Sequence, residues 1–260
     1  MWPWFGPIPA FGAVYTLGIL SHFVAGYLLA KRLGLRRRLW IGLGICYLVG
    51  MTLGAKVLYD IASGGFEVRA LFSAAHYLRG GLWGGLFAYM ALAVPFALAL
   101  SKDRRGALDL VALTVPVPWI LAKLGCLLNG CCYGRPCSAP WAITFGQAAR
   151  GAPAGVPVHP TQVYEILVAV VIIAVFAALR RERWRGTKLL WFLLIYGSGR
   201  ALIELWRGDL RENIHIGPVS VSQLICLAAA GASLAILLFW RRGMRKAQNR
   251  KPLDNPSATA

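Results

Sequence analysis

Apolar runs of bilayer length recur along this chain, and no other feature constrains its fold as much. A helix needs about 20 mostly apolar residues to cross a hydrocarbon core about 30 Å thick. Lipid offers no partner to an unpaired backbone group, so such runs must become helices. Seven segments qualify: about Phe11–Ala30, Trp40–Tyr59, Leu82–Leu100, Leu108–Leu128, Thr161–Leu179, Lys188–Trp206 and Val219–Trp240. Pro116 and Pro118 mark kink sites in the fourth. With 15% charged residues and 58% hydrophobic ones, the chain is too apolar for a soluble domain. The expected fold is all-α: a polytopic membrane protein with one seven-helix domain over residues 1–240 and a basic, disordered tail over 241–260. No internal repeat is visible. No cleavable signal peptide is expected, because no basic stretch precedes the first apolar run.

A net charge of +18 would suit a nucleic-acid binder, but the cations sit in short loops between apolar runs, so no nucleic-acid partner is expected. The loops after the first, third and fifth runs and the tail together hold 19 Lys and Arg, against six in the opposite loops. The positive-inside rule therefore places the N-terminus outside, in the periplasm, and the C-terminus in the cytoplasm.

Lys56, Lys123 and Arg200 remain inside the runs, each near the outward end of its helix. A charge at membrane depth is costly and marks function by default. Glu165 lies one turn inside the outer end of the fifth run, and Glu204 follows Arg200 by four residues, on one face with Tyr196. Asp109, near the cytoplasmic interface, is the exception to this outward clustering. Snorkelling accounts for one or two such residues; the set points to a shared polar cavity open to the outer leaflet. Fixed cations there suit an anionic ligand, and the phosphate available at that depth is a phospholipid headgroup.

The motifs on these helices resemble those of the bacterial prolipoprotein diacylglyceryl transferases. His159-Pro160-Thr161-Gln162-Val163-Tyr164-Glu165 is similar to the family's H-P-[ST]-Q-x-Y-E element. Tyr196-Gly197-Ser198-Gly199-Arg200, with Glu204, Arg207 and Asp209, resembles Y-G-x-x-R-x-x-x-E-x-x-R-x-x-D. Lys123-Leu124-Gly125-Cys126-Leu127-Leu128-Asn129-Gly130, with Gly134-Arg135, resembles the signature R-x-G-N-F-x-N-G-E-x-x-G-R, and Gly6-Pro7-Ile8 and Ser222-Gln223 also fit. The resemblance implies an inner-membrane enzyme facing the outer leaflet. It would move the diacylglyceryl group of phosphatidylglycerol to the lipobox cysteine thiol of a preprolipoprotein, and glycerol phosphate would leave. Its partners would be membrane lipid and preprolipoprotein signal peptides, and the chemistry calls for no metal and no cofactor. Arg200 and Lys123 would meet the leaving phosphate, with Glu204 and Tyr196 orienting Arg200. His159 joins this set, with a structural role at the helix start favoured over general base. Asn129, Gly134, Arg135, Lys56, Gln162, Glu165, Tyr15 and Arg207 would bind substrate.

The chain departs from the family pattern at several positions. Lys123 and Lys56 stand where the family carries arginine, Cys126 replaces an asparagine, Cys131 a glutamate and Phe11 a tyrosine. The family's histidine before the third helix is missing, with His76 its distant substitute. A paralogue that binds anionic phospholipid without transfer, or senses redox state, is the alternative, as is a transferase with another acceptor. Cys126, Cys131, Cys132 and Cys137 fall within twelve residues. A disulfide bracing the loop is the first reading; a metal site, a reactive thiol and plain packing are the others. Glycines 80, 81, 84 and 85 are expected to permit close helix packing.

Overall fold

A computed structural model of the chain describes residues 4–5, 8–62, 82–149, 151–180, 182–209, 215–216 and 219–249. Gly6, Pro7, His76, Gly80 and Gly81, and four of the six cations counted in the opposite loops, Arg69, Arg79, Arg150 and Arg211, lie outside the described residues.

The first run forms α1 (Ala10–Arg32). The second is interrupted: α2 (Arg37–Val49) passes into a π segment (Gly50–Gly54) and then α3 (Ala55–Ala62). Glycine is needed there. A Cβ at Gly50 would stand 2.5 Å from the Tyr89 backbone nitrogen, and one at Gly54 would stand 2.1 Å from Ala88 Cβ. Both neighbours belong to α4 (Leu82–Leu100), whose Gly85 in turn packs against Met51. Interrupting the α ladder frees carbonyls, and the Tyr15 hydroxyl donates to that of Met51 at 3.0 Å.

The fourth run is two helices, α5 (Arg104–Leu113) and α6 (Pro116–Asn129). The break falls just before Pro116, which has no N–H to lose at a first helical position. The Asp103 carboxylate accepts from Gly106 N–H at 3.0 Å, which starts α5 ahead of the apolar run. Gly130, at φ +74, closes α6 with a left-handed cap. Then come α7 (Thr161–Ala178), α8 (Lys188–Ile203) with a 3₁₀ turn over Glu204–Trp206, and α9 (Val221–Asn249). This last helix continues past Trp240, where the sequence reading ended the membrane domain.

Among the described residues are three two-stranded antiparallel pairs: β1 (Trp4–Phe5) with β2 (Ile8–Pro9) ahead of α1, β3 (Ile143–Thr144) with β4 (Pro157–Val158) between α6 and α7, and β5 (His215–Ile216) with β6 (Val219–Ser220) between α8 and α9. The α6–α7 connection is stitched to the residues after α8: Gly134 bridges Arg207, and Gly208 N–H donates to Tyr133 at 3.1 Å.

α1 packs on α6, α6 on α7, α7 on α8 and α8 on α9, with α2 and α4 closing the other side. Large apolar side chains remain on the outer faces, among them Leu17, Val24, Leu167, Val171 and Phe239, the last 70% exposed. Such faces suit lipid rather than water. Among the described residues, six helices are long and apolar enough to cross a membrane, and a shorter apolar helix spans Gly84–Leu100. The fold is an all-α polytopic membrane protein.

Asp109 is not an interfacial stray. It is fully buried and accepts from Gly186 N–H (2.9 Å), Lys188 N–H (3.0 Å) and Lys188 Nζ (2.8 Å). Lys188, counted as a loop cation from sequence, pairs with it and fixes the start of α8 on α5.

Candidate active site

Three helices, α6, α7 and α8 with the residues just after it, bring Lys123, Glu165, Arg200, Glu204 and Arg207 together; Lys56, expected with them, is not part of these ion pairs. On α6, Lys123 is buried and its Nζ donates to Glu165 Oε1 of α7 at 2.8 Å. The same Glu165 oxygen lies 3.5 Å from Arg207 Nη1, beyond the 3₁₀ turn that extends α8. Arg207 also holds Asp209, with Nε 2.8 Å from Oδ1 and Nη2 3.0 Å from Oδ2. On α8, Arg200 donates through Nη1 to Glu204 Oε2, and Ser222 of α9 donates to Glu204 Oε1 at 3.3 Å. Arg200 Nη2 is buried with no hydrogen-bond partner among the described residues.

The Arg200–Glu204 pair has the i, i+4 spacing read from the sequence, and the Lys123–Glu165–Arg207 and Arg207–Asp209 pairs extend it. Lys123, Arg200 and Arg207 stand against Glu165, Glu204 and Asp209, so the assembly is near neutral. The physical reason is desolvation: a buried cation persists where a carboxylate compensates it. Asp209, outside the spans, reflects the same cost. Burial pushes its pKa up to about 6, against the pull of Arg207.

Tyr196 was expected to orient Arg200, but its buried hydroxyl has no hydrogen-bond partner among the described residues. Its ring stacks on Phe192 (centroids 5.5 Å apart) and meets Trp119 edge-on at 5.4 Å. Trp119 in turn presents its face to Lys123 Nζ at 5.0 Å, a cation–π contact. Lys56 lies on α3, buried and four residues before the equally buried Asp60, while Tyr15 is tied to the π segment.

Above the cluster, Gly134 and Arg135 run against His159 and Trp206. Gly134 N–H donates to the His159 carbonyl (2.9 Å), His159 N–H to the Arg135 carbonyl (3.0 Å) and Arg135 N–H to the Trp206 carbonyl (2.7 Å). A Cβ at Gly134 would stand 2.6 Å from the Trp206 oxygen, so glycine is required for this approach. Arg135 is exposed and its Nε donates to the Arg207 carbonyl at 3.2 Å. Asn129, at the end of α6, is half-buried. Gln162 is buried, and its Nε2 donates to the Cys131 carbonyl at 2.7 Å.

The side chain of His159 belongs to a different surface. Its Nδ1 lies 3.0 Å from the Tyr164 hydroxyl, which also accepts from Trp141 Nε1 at 2.9 Å. These three line an open apolar groove of about 400 Å³ between α7 and α8, with Val168, Gly199 and Trp206. Its lining does not include Lys123 or Arg200. Trp141 was missed from sequence; an isolated tryptophan in a polar connection was the available signal.

The cysteines are free thiols. The Sγ atoms of Cys126, Cys131 and Cys132 all lie within 4.8 Å of one another, so the expected bracing disulfide gives way to a cluster of three thiols. The Cys131 thiol is held well below its ordinary pKa by hydrogen bonds from Cys126 and Cys132, helped by Asn129 and the Lys123 charge.

A membrane bundle with a buried ion-pair cluster at one end, roofed by interlocked loops and flanked by an apolar groove, defines the class. The chain belongs to the prolipoprotein diacylglyceryl transferase family, whose model matches residues 4–240. It is similar to phosphatidylglycerol–prolipoprotein diacylglyceryl transferases of three organisms. That of Clostridium tetani is 30% identical over 228 residues, 85% of this chain and 88% of the relative. That of Geobacter sulfurreducens is 29% identical over 250 residues, 89% and 91%. That of Finegoldia magna is 25% identical over 246 residues, 92% and 94%.

Proposed function

We propose that this protein transfers the diacylglyceryl group of phosphatidylglycerol to the thiol of a prolipoprotein cysteine. The thiolate sulfur attacks the glyceryl carbon that carries the phosphate ester. The S–C bond forms, the C–O bond breaks, and glycerol phosphate leaves with the electron pair. Negative charge grows on the leaving phosphate, so donors must stand ready where it develops. The observation that carries this reading is Arg200: a buried guanidinium held by Glu204, with Nη2 still free to donate. Lys123 and Arg207, joined through Glu165, are its neighbours in the cluster and supply further positive charge.

Asn129, Gly134, Arg135 and Gln162 belong to the roof and serve headgroup binding. Tyr15 and Lys56 support the side made by the π segment and α3. The apolar groove beside His159 has the surface to hold an acyl chain or the apolar part of a signal peptide, with the imidazole at its polar edge. Seven spans, with Leu82–Leu100 the third, put the N-terminus outside and the cluster at the outer leaflet of the inner membrane. The bias of 19 cations against six supports this orientation.

The test is direct transfer by the purified protein in liposomes of phosphatidylglycerol with a lipobox peptide. One diacylglyceryl unit is expected on the peptide cysteine, with equimolar glycerol phosphate. Arg200→Ala is expected to lower the rate by about 10²-fold or more. A folded preparation that transfers nothing overturns the proposal.

A further inference from the structure

Three thiols meet where the reaction has no use for them. Cys126 lies on the last turn of α6, one turn beyond Lys123, while Cys131 and Cys132 follow the left-handed cap at Gly130. The loop is held from several directions. Cys131 N–H donates to the Cys126 carbonyl at 3.1 Å, Gln162 Nε2 to the Cys131 carbonyl at 2.7 Å and Thr161 Oγ1 to the Cys132 carbonyl at 2.5 Å. Cys132 is the one non-glycine residue with positive φ (+60) among the described residues. That conformation costs an L-residue about 1 kcal/mol or more, and such strain collects at functional sites. Here the bonds from α7 impose it, and they bring a third sulfur to two that the end of α6 already pairs.

We propose that Cys126, Cys131 and Cys132 form a binding site for one thiophilic d¹⁰ metal ion, of the Cu(I) or Zn(II) class. Sulfurs around one such ion at about 2.3 Å stand about 3.8–4.0 Å apart, so thiols already within 4.8 Å need only a small inward adjustment. A disulfide uses two sulfurs and strands the third, whereas three convergent thiols match a trigonal ion or a tetrahedral one with a further ligand. Each thiol gives up its proton to solvent as it coordinates. Cys131 and Cys132 are half-buried, which leaves an approach from the loop side, and buried Cys126 forms the floor. Cys137 is a free thiol on the same connection outside the cluster, and serves as an internal control. The site stands on thiol geometry alone and is read by metal content, so it holds or fails independently of the transfer reaction.

The test uses the full chain, purified in detergent and kept reduced without oxygen. It is titrated separately with Zn(II) and with Cu(I) against competing chelators. Bound metal is counted by elemental analysis, and Co(II) serves as a spectroscopic probe of thiolate coordination. One ion per chain and a thiolate-to-cobalt charge-transfer band are expected. Cys131→Ser and Cys132→Ser, at half-buried positions that tolerate a hydroxyl, should each weaken binding about tenfold or more, and Cys137→Ser should not. Thermal unfolding of each variant confirms that it folds. Binding that is absent, that survives Cys131→Ser unchanged, or that falls equally with Cys137→Ser overturns the proposal. So does a disulfide among the three cysteines in protein alkylated directly in its membranes.

Discussion

Glu165 is the residue on which the cluster balances. It faces Lys123 at 2.8 Å and Arg207 at 3.5 Å, and is itself buried. Glu165→Gln leaves a buried lysine uncompensated, and the expected loss is about 3–5 kcal/mol in chemical denaturation in detergent. Adding Lys123→Met removes the stranded charge and should recover most of that loss; a double variant as unstable as the single one would count against this account. Asp209 makes a prediction of opposite character. Its folded pKa of about 6 lies above the ordinary carboxylate value of about 4. Between those two values the folded protein holds a proton that the unfolded chain has released, so stability falls as pH rises through the window. The unfolding midpoint should therefore rise as pH drops from about 7 to 5, worth about 2 kcal/mol at most. Asp209→Asn should flatten that dependence. The Arg–Asp spacing after α8 was visible in the sequence, but the burial that shifts Asp209 was not, because it depends on how the roof loops close over it.

At the scale of elements, the join between α5 and α8 rests on Asp109. One carboxylate takes two backbone N–H groups at the start of α8 and the Lys188 ammonium, favourable for an anion at a helix N-terminus. Asp109→Ala strips all three, and about 3–5 kcal/mol of stability should go with it, read as a lower thermal midpoint in detergent. Asp109→Asn keeps an acceptor for the backbone groups and should cost less. The sequence shows Asp109 and Lys188 79 positions apart with no sign of their pairing. Helix starts and stops were more legible. Of the two kink sites read from the sequence, Pro116 stands at the break in the fourth run, while Pro118 sits within the first turn of α6. The π segment was not legible, because Gly50 and Gly54 demand it only once α4 lies against them.

At the scale of the whole molecule, the bias of cations toward one set of loops makes a topology prediction. In a cysteine-free background, a membrane-impermeant thiol reagent should label Ser138→Cys from outside intact inner-membrane spheroplasts and Lys31→Cys only after lysis; both positions are exposed. The reverse pattern would invert the protein and place the cluster at the cytoplasmic leaflet. Membership of a membrane-protein class was readable because it rests on run length and composition, which are properties of consecutive residues. The family was readable because three short motifs keep their internal spacing, whatever surrounds them. Pairing was another matter. Lys123 reaches Glu165 across 42 positions, Arg135 reaches Arg207 across 72, and the third thiol joins its neighbours only because α7 grips the loop that carries it. The sequence alone determined that these charged and sulfur-bearing side chains exist, in which helices and near which ends. Only the tertiary structure decided that Lys123 and Arg207 share the Glu165 carboxylate and that the thiols converge, because both depend on how packed helices rotate and tilt, which no single segment encodes.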